Sequence, residues 1–234
     1  MVVEIGSEIR IRDASKELYD WAQENLIIPN PQYRERERRG LWVGNTPKYL
    51  WLYHVDGSDL IVPTGVGKQV RQFLSEKDKI SVHLADNGIL DYKGTIPLYD
   101  YQKDAVEAMQ RTSCGILQSP CGSGKTQMGI ALAAELSRKV LWITHTQDLL
   151  TQSKTRAEQY FPEETLGTIT AGKAQVGSHI TFATVQTLCK MDLDQFRYTW
   201  DVVIVDECHR LAGSPTQVTM FYFIGKTAAG ALLN

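Results

Sequence analysis

Along the chain the spacing of apolar positions changes character near residue 95. From Asp13 to Leu26, the residues Leu18, Trp21, Ala22 and Leu26 recur at helical spacing and predict one helix. Two strand-like runs follow, Lys48 to Val55 and Asp59 to Val62, joined through Asp56-Gly57, a dipeptide suited to the positive φ angles of a tight hairpin turn. A short helix from Lys68 to Glu76 and a strand around Ile80 to Leu84 complete a small α+β unit. After Thr95 helix and strand patterns alternate. Helices are predicted at Asp100 to Arg111, Lys125 to Ser137 and Asp148 to Tyr160, with strands at Gly115 to Gln118, Val140 to Thr144, Ile180 to Ala183 and Val202 to Val205. Such alternation predicts α/β architecture, a parallel sheet between helices. The expected division is therefore an accessory domain over residues 1–95 and an α/β domain over 96–234.

Composition narrows the function classes without choosing one. A chain of 234 residues has room for a full domain and a smaller companion, and 43% hydrophobic with 22% charged residues excludes disorder. The net charge of −2 leaves no attractive field over the whole chain, so a nucleic-acid partner would have to be held by a local patch. No apolar run reaches the roughly 18 to 20 residues of a membrane span, and the first residues lack the cationic and apolar segments of a signal peptide. The expectation is an intracellular, cytoplasmic protein with no membrane partner. Cys114, Cys121, Cys189 and Cys208 form no C-x-x-C pair and are expected to be buried, reduced thiols. His54, His83, His145 and His179 share no metal-ligand spacing.

The chemistry begins at Ser119-Pro120-Cys121-Gly122-Ser123-Gly124-Lys125-Thr126, between an apolar run and a helix pattern. Gly122 and Gly124 let the backbone curl so that successive N–H groups, Ser123 among them, face one anion at the start of a helix. Lys125 can reach the outer phosphates of a nucleotide, and the Thr126 hydroxyl can coordinate Mg²⁺. Ser119 stands where the strict pattern has glycine. The competing reading is a glycine-rich turn with a solvated lysine. A second element is Val202-Val203-Ile204-Val205-Asp206-Glu207, an apolar strand ending in two carboxylates at the edge where open α/β sheets place their ligands. Asp206 is suited to hold Mg²⁺ and Glu207 to orient and deprotonate an attacking water. An acidic pair that merely starts a helix is the alternative.

With Cys208 and His209, the acidic box reads D-E-C-H, and the whole resembles the superfamily 2 helicases and translocases, with DEAD/DEAH-like boxes. It is most similar to the xeroderma-pigmentosum-group-B-like and phage recombination-helicase branch. The resemblance covers about residues 96–212 and implies a RecA-like phosphate-loop domain that binds ATP and Mg²⁺ and acts on DNA, with RNA still open. In Leu98-Tyr99-Asp100-Tyr101-Gln102 it implies that Gln102 reads adenine, and it makes His209 a coupler between hydrolysis and nucleic-acid binding. Trp142 to Gln152 and Thr184 to Leu188 resemble the motifs that grip a tracking strand, which assigns Thr146, Gln152, Thr184 and Gln186 to phosphate contacts; ordinary helix caps are the other reading. Thr227-Ala228-Ala229 approximates a further motif. The family works with two RecA-like domains, so the resemblance implies the N-terminal part of a helicase whose second motor domain comes from elsewhere, such as another chain. A module that binds nucleotide or DNA without turnover and acts through a partner is the alternative. In the first domain, Arg34, Arg36, Arg38 and Arg39 precede Trp42, Tyr49, Trp51 and Tyr53. They read either as a self-paired helix before a packed hairpin or as a platform for stacked bases.

Overall fold

The computed structural model describes residues 1–208 apart from 7, 84, 113, 114, 121 and 171. His209 and the Thr227-Ala228-Ala229 string lie outside the described residues, as do Cys114 and Cys121. The chain divides into two compact units, one spanning Met1–His83 and the other beginning at residue 84.

The first unit is built on strict period-two alternation at its start. Val3 and Ile5 of β1 (Val2–Ile5) and Ile9 and Ile11 of β2 (Glu8–Arg12) are fully buried, while Glu4, Arg10 and Arg12 face outward. Helix α1 (Lys16–Asn25) starts where the Ser15 hydroxyl accepts the Leu18 N–H, and it buries Leu18 and Ala22 against the same core. There follow β3 (Ile27–Pro29), α2 (Pro31–Arg38), β4 (Tyr49–Trp51), β5 (His54–Asp56), β6 (Asp59–Pro63), α3 (Gly67–Arg71) and β7 (Lys79–Val82). Five strands form one sheet in the order β5-β6-β2-β1-β7, antiparallel except for the β1–β7 pair, and β3–β4 is a separate antiparallel ribbon. The expected strand over Lys48 to Val55 is thus two strands: β4 pairs with β3 and β5 with β6, the chain switching partners at Leu52, whose N–H donates to Leu26 O. The hairpin turn forms one residue later than expected: Asp56 ends β5 opposite Asp59, and Gly57-Ser58 make the turn, with Gly57 at φ 62°. The predicted helix from Lys68 to Glu76 is helical only over α3, after which the chain runs through turns.

The second unit contains α4 (Asp100–Gln110), α5 (Lys125–Leu136), β8 (Val140–Thr144), α6 (Gln147–Glu158), β9 (Leu166–Thr170), β10 (Lys173–Gln175), β11 (Ile180–Thr184), α7 (Val185–Leu188) and β12 (Val202–Val205). Its sheet runs β10-β9-β11-β8-β12, with β9, β11, β8 and β12 parallel and β10 returning antiparallel at one edge. Trp142 and Phe182 pack on one face with Ile130, Leu150 and Phe161; Leu141, Ile143 and Ala183 pack on the other with Leu188, Trp200 and Val203. Burial of both faces explains why β8 and β11 read as unbroken apolar runs. This is the expected α/β sheet, mostly parallel and covered on both faces.

Two further expectations need correction. Gly115 to Gln118 is not a strand: among the described residues β12 pairs only with β8, so these four residues have no ladder to join, and Ile116 is exposed. Apolarity alone does not make a strand where no neighbour supplies hydrogen bonds. The boundary near Thr95 also moves, because the residues just after 84 belong to the second unit. Asp201, buried at the start of β12, accepts from the Asn87 backbone (2.8 Å) and side chain (2.9 Å) and from the Lys139 N–H (3.1 Å). Tyr92 donates its hydroxyl to Arg138 O at 2.7 Å and packs edge-on against Phe161 and His179. Polar and aromatic anchors of this kind leave no simple periodic trace.

Candidate nucleotide-binding site

The loop before α5 has the backbone that the glycines were expected to allow. Gly122 and Gly124 sit at φ 80° and 81°, the left-handed region that favours glycine. Space is a second constraint at Gly124, where a Cβ would lie 2.5 Å from Gln102 Nε2. The hydroxyl of Ser119, at the position of the missing glycine, bonds to that of Ser123 at 2.6 Å and so closes the loop across its mouth. Lys125 opens α5 and donates Nζ to Ser119 O and Pro120 O, both at 3.2 Å, which holds the ammonium over the loop.

The acidic box meets this loop. Asp206 N–H donates to Ile143 O and extends the β12–β8 ladder by one residue, placing the carboxylates at the carboxyl end of the sheet. The Thr126 hydroxyl donates to Asp206 Oδ2 at 3.4 Å, so two residues 80 positions apart share one point. Burial, followed by the negative charge of Glu207, pushes the Asp206 carboxyl above its ordinary value, against the opposing effects of Thr126, the Glu207 backbone and Lys125. Glu207 itself sits at φ 55°, an uncommon conformation for a residue with a side chain and one concentrated at functional positions.

The structure brings most of the expected ATP and Mg²⁺ residues together. Ser119, Gly122, Ser123, Gly124, Lys125 and Thr126 form the loop, Asp206 meets it just after β12, and Glu207 follows Asp206. Gln102 joins them from α4: it is buried, accepts the Tyr99 N–H on Oε1 at 3.0 Å and donates Nε2 to Ser123 O at 2.9 Å. Each half of its amide retains one further hydrogen-bonding position. Sequence reasoning missed three neighbours. Tyr101 donates its hydroxyl to Ser123 O at 3.0 Å, and its ring lies 5.9 Å from that of exposed Tyr99, the two planes 9° apart. Gln127 donates to Pro97 O and to the Tyr160 hydroxyl, leaving its buried Oε1 without a partner among the described residues. The available signal was position alone, beside Gln102 and Lys125.

At the same edge of the sheet lie Thr146, Thr184 and Gln186. Thr146 Oγ1 accepts the Leu149 N–H at the start of α6, and Thr184 Oγ1 accepts the Thr187 N–H at the start of α7, both at 3.3 Å. The helix-cap reading of the two hydroxyls therefore holds, and Thr184 is buried while Thr146 and Gln186 are exposed. Gln152 stands apart from this edge, farther along α6, and is exposed. Cys189 is free and exposed, a correction to its expected burial, and Cys208 is free and half-buried. No group of His, Cys, Asp and Glu that could hold a metal on its own occurs among the described residues. No helix among them is long and apolar enough to cross a membrane.

Residues 95–228, which contain the loop, the acidic box and the sheet between them, match the family described as Type III restriction enzyme, res subunit. The chain belongs to this family. It is 28% identical over 152 residues to the DNA 3'-5' translocase XPB2 of Sulfurisphaera tokodaii, covering 62% of this chain and 33% of that protein. It is also 27% identical over 123 residues to the putative DNA 3'-5' helicase Rad25 of Halobacterium salinarum, covering 50% and 20% of the two chains. The chain thus spans a third or less of these curated relatives. Among solved structures, the UvsW helicase from Bacteriophage T4 superimposes with a TM-score of 0.58 at 22% identity, covering 89% of this chain and 83% of that one. The chain accordingly belongs to this family over residues 95–228 and shares its fold with the UvsW helicase.

Proposed function

We propose that the second unit binds ATP with Mg²⁺ and forms one half of a motor that couples ATP hydrolysis to movement on, or remodelling of, DNA. The carrying observation is the meeting of the phosphate loop with the acidic box, Thr126 beside Asp206 below Lys125. The residues fit the group: two glycines in left-handed conformation open the loop, an ammonium lies over it, and a hydroxyl and a carboxylate stand together where a hard cation takes oxygen ligands. Thr126 and Asp206 would hold Mg²⁺, which supplies charge neutralisation to the phosphates. Lys125 would hold the outer phosphates, Gln102 the adenine edge, and Glu207 would take a proton from the attacking water. Thr146 and Gln186 present exposed groups for a nucleic-acid backbone at the same edge; Gln152 and Thr184 are assigned there, and His209 is assigned as coupler between hydrolysis and nucleic-acid binding, only by the resemblance. DNA is favoured as partner because the two cellular relatives above are named for DNA, while RNA remains the partner named for a putative ATP-dependent RNA helicase, L396, of Acanthamoeba polyphaga mimivirus, 26% identical over 137 residues. A second RecA-like domain would complete the cleft and supply the arginine that speeds phosphoryl transfer by about 10³ to 10⁵.

Calorimetry with Mg-ATP tests the reading. Wild type should bind, and Lys125→Ala should lose most of that affinity while keeping its unfolding midpoint. Equal affinities would remove the nucleotide assignment.

A further inference from the structure

In the first unit three aromatic side chains lie open to solvent within ten residues: Trp42, Tyr49 and Trp51, at 84%, 48% and 63% exposure. An indole left in water forgoes a large burial energy, and such a cluster in one small unit marks an interaction surface. The sequence offered a packed hairpin here; the structure shows instead a two-stranded ribbon with its rings outside. Tyr49 and Trp51 are alternate residues of β4 and so stand on one face, about 6.6 Å apart along the strand, near twice the 3.4 Å stacking repeat of nucleic-acid bases. Behind Trp51 the ring of buried Tyr53, 5.8 Å away, supports it from the core.

Cations are tied to the same surface. Asn30 caps α2 by accepting the Gln32 N–H, donates its side chain to Pro47 O at 2.8 Å and its backbone N–H to Lys48 O at 2.9 Å, so the basic helix and the aromatic strand share a corner. Arg36 donates to Trp42 O at 3.2 Å and holds the loop that carries Trp42 to that helix. Lys48 Nζ stands 6.0 Å from the Tyr49 ring centre. From Asn30 to Val55 five cationic residues, Arg34, Arg36, Arg38, Arg39 and Lys48, face two acidic ones, Glu35 and Glu37, in a chain whose net charge is −2. Glu35 is engaged by Arg38 and Arg39 at 2.8 and 2.6 Å. A protein partner would also accept exposed aromatics, but rings spaced along a strand beside a local excess of cations match the two parts of a nucleotide, base and phosphate.

We propose that the ribbon of the first unit, with Tyr49, Trp51 and Trp42 as stacking groups and Lys48 and Arg36 as phosphate contacts, binds single-stranded nucleic acid. The site shares the nucleic-acid reading of the motor unit but rests on other residues, and it needs no nucleotide.

The test uses the full chain, an end-labelled oligothymidylate and an abasic oligonucleotide of equal length, with binding read by anisotropy and by tryptophan fluorescence. Wild type should bind the oligothymidylate more tightly than the abasic strand, with quenching of tryptophan emission. The double variant Tyr49→Leu, Trp51→Leu should bind oligothymidylate about 5- to 100-fold more weakly and the abasic strand as wild type does. Trp42→Leu, outside any strand, gives a second variant that spares the ribbon if the double variant unfolds, and it should weaken oligothymidylate binding in the same sense. Equal binding of thymidylate and abasic strands by wild type, unchanged affinity in folded variants, or no binding of either oligonucleotide would each overturn the proposal. Lys125→Ala should leave this binding intact; lost ATP affinity with retained oligothymidylate binding, or the reverse, separates failure of one reading from failure of the other.

Discussion

At Asp206 two demands oppose each other: the carboxylate is needed where Thr126 and the phosphate loop converge, yet burial and Glu207 disfavour its charge. A carboxyl whose folded value is raised works against folding once it ionises; that penalty is absent below the unfolded value of about 3.9 and complete above the raised one. Asp206→Asn should therefore unfold at a higher temperature than wild type at pH 7, with the difference fading as pH falls toward 4, while Mg-ATP binding is lost at every pH. Thermal unfolding of both proteins across that range checks the sign, and a destabilised variant at neutral pH would contradict it. Gly124 makes a separate case. An alanine there would have to hold φ near 81° and displace Gln102 Nε2 from 2.5 Å, so Gly124→Ala should cost about 1–2 kcal/mol in chemical denaturation. Combining it with Gln102→Ala relieves the contact but not the backbone, and should recover only part of the loss.

Elements in the second unit are held by close approaches that only glycine permits. Gly129 on α5 faces Trp142 of β8, and a Cβ would lie 2.6 Å from the fully buried indole. Alanine gains about 1 kcal/mol of helix propensity over glycine, but overpacking a filled core costs about 1–3 kcal/mol, so Gly129→Ala should destabilise on balance. The effect should vanish or reverse when Trp142 is also replaced by Phe, which a double-mutant cycle in denaturant would measure. Gly167 of β9 is stricter still: its Cβ would fall 2.0 Å from Gly177 N, a backbone atom that cannot step aside. Gly167→Ala is expected to cost more than Gly129→Ala. These contacts explain why β9 was not predicted, since a glycine inside a short run weakens its strand signal while serving a tertiary contact. The opposite error at Gly115 to Gln118 has the complementary cause, an apolar run without a ladder among the described residues.

For the whole chain, the placement of the unit boundary has measurable consequences. Asn87 and Tyr92 anchor the residues before Thr95 to the second unit through Asp201, Lys139 and Arg138, and Arg138 also pairs with Asp86 at 2.8 Å. A chain starting at residue 85 should thus be more stable than one starting at 96, because the latter leaves the Asp201 carboxylate and the Lys139 backbone around a vacated, buried pocket. Asp201→Ala in the full chain should cost about 1–3 kcal/mol by stranding the Asn87 and Lys139 N–H groups. Comparable unfolding midpoints for the two shortened chains would return the boundary to residue 95.

What the sequence determined by itself was whatever depends on neighbours a few residues apart. The phosphate loop, the strand that ends just before Asp206, the helix caps and the tight turn at Gly57 are local patterns, in which side-chain size, charge and backbone freedom act within one turn or one strand. The alternation of Val3, Ile5, Ile9 and Ile11 is equally local and was equally available. Tertiary structure decided the matters that require two distant segments to meet: the pairing of Thr126 with Asp206, the enclosure of Gln102 against Ser123, the attachment of Asn87 to Asp201, and the exposure of Tyr49 and Trp51 on a ribbon rather than in a core. Hydrophobic pattern states that a residue is apolar, but whether it is covered depends on which surface the rest of the chain brings to it, and that is settled only by the packed fold.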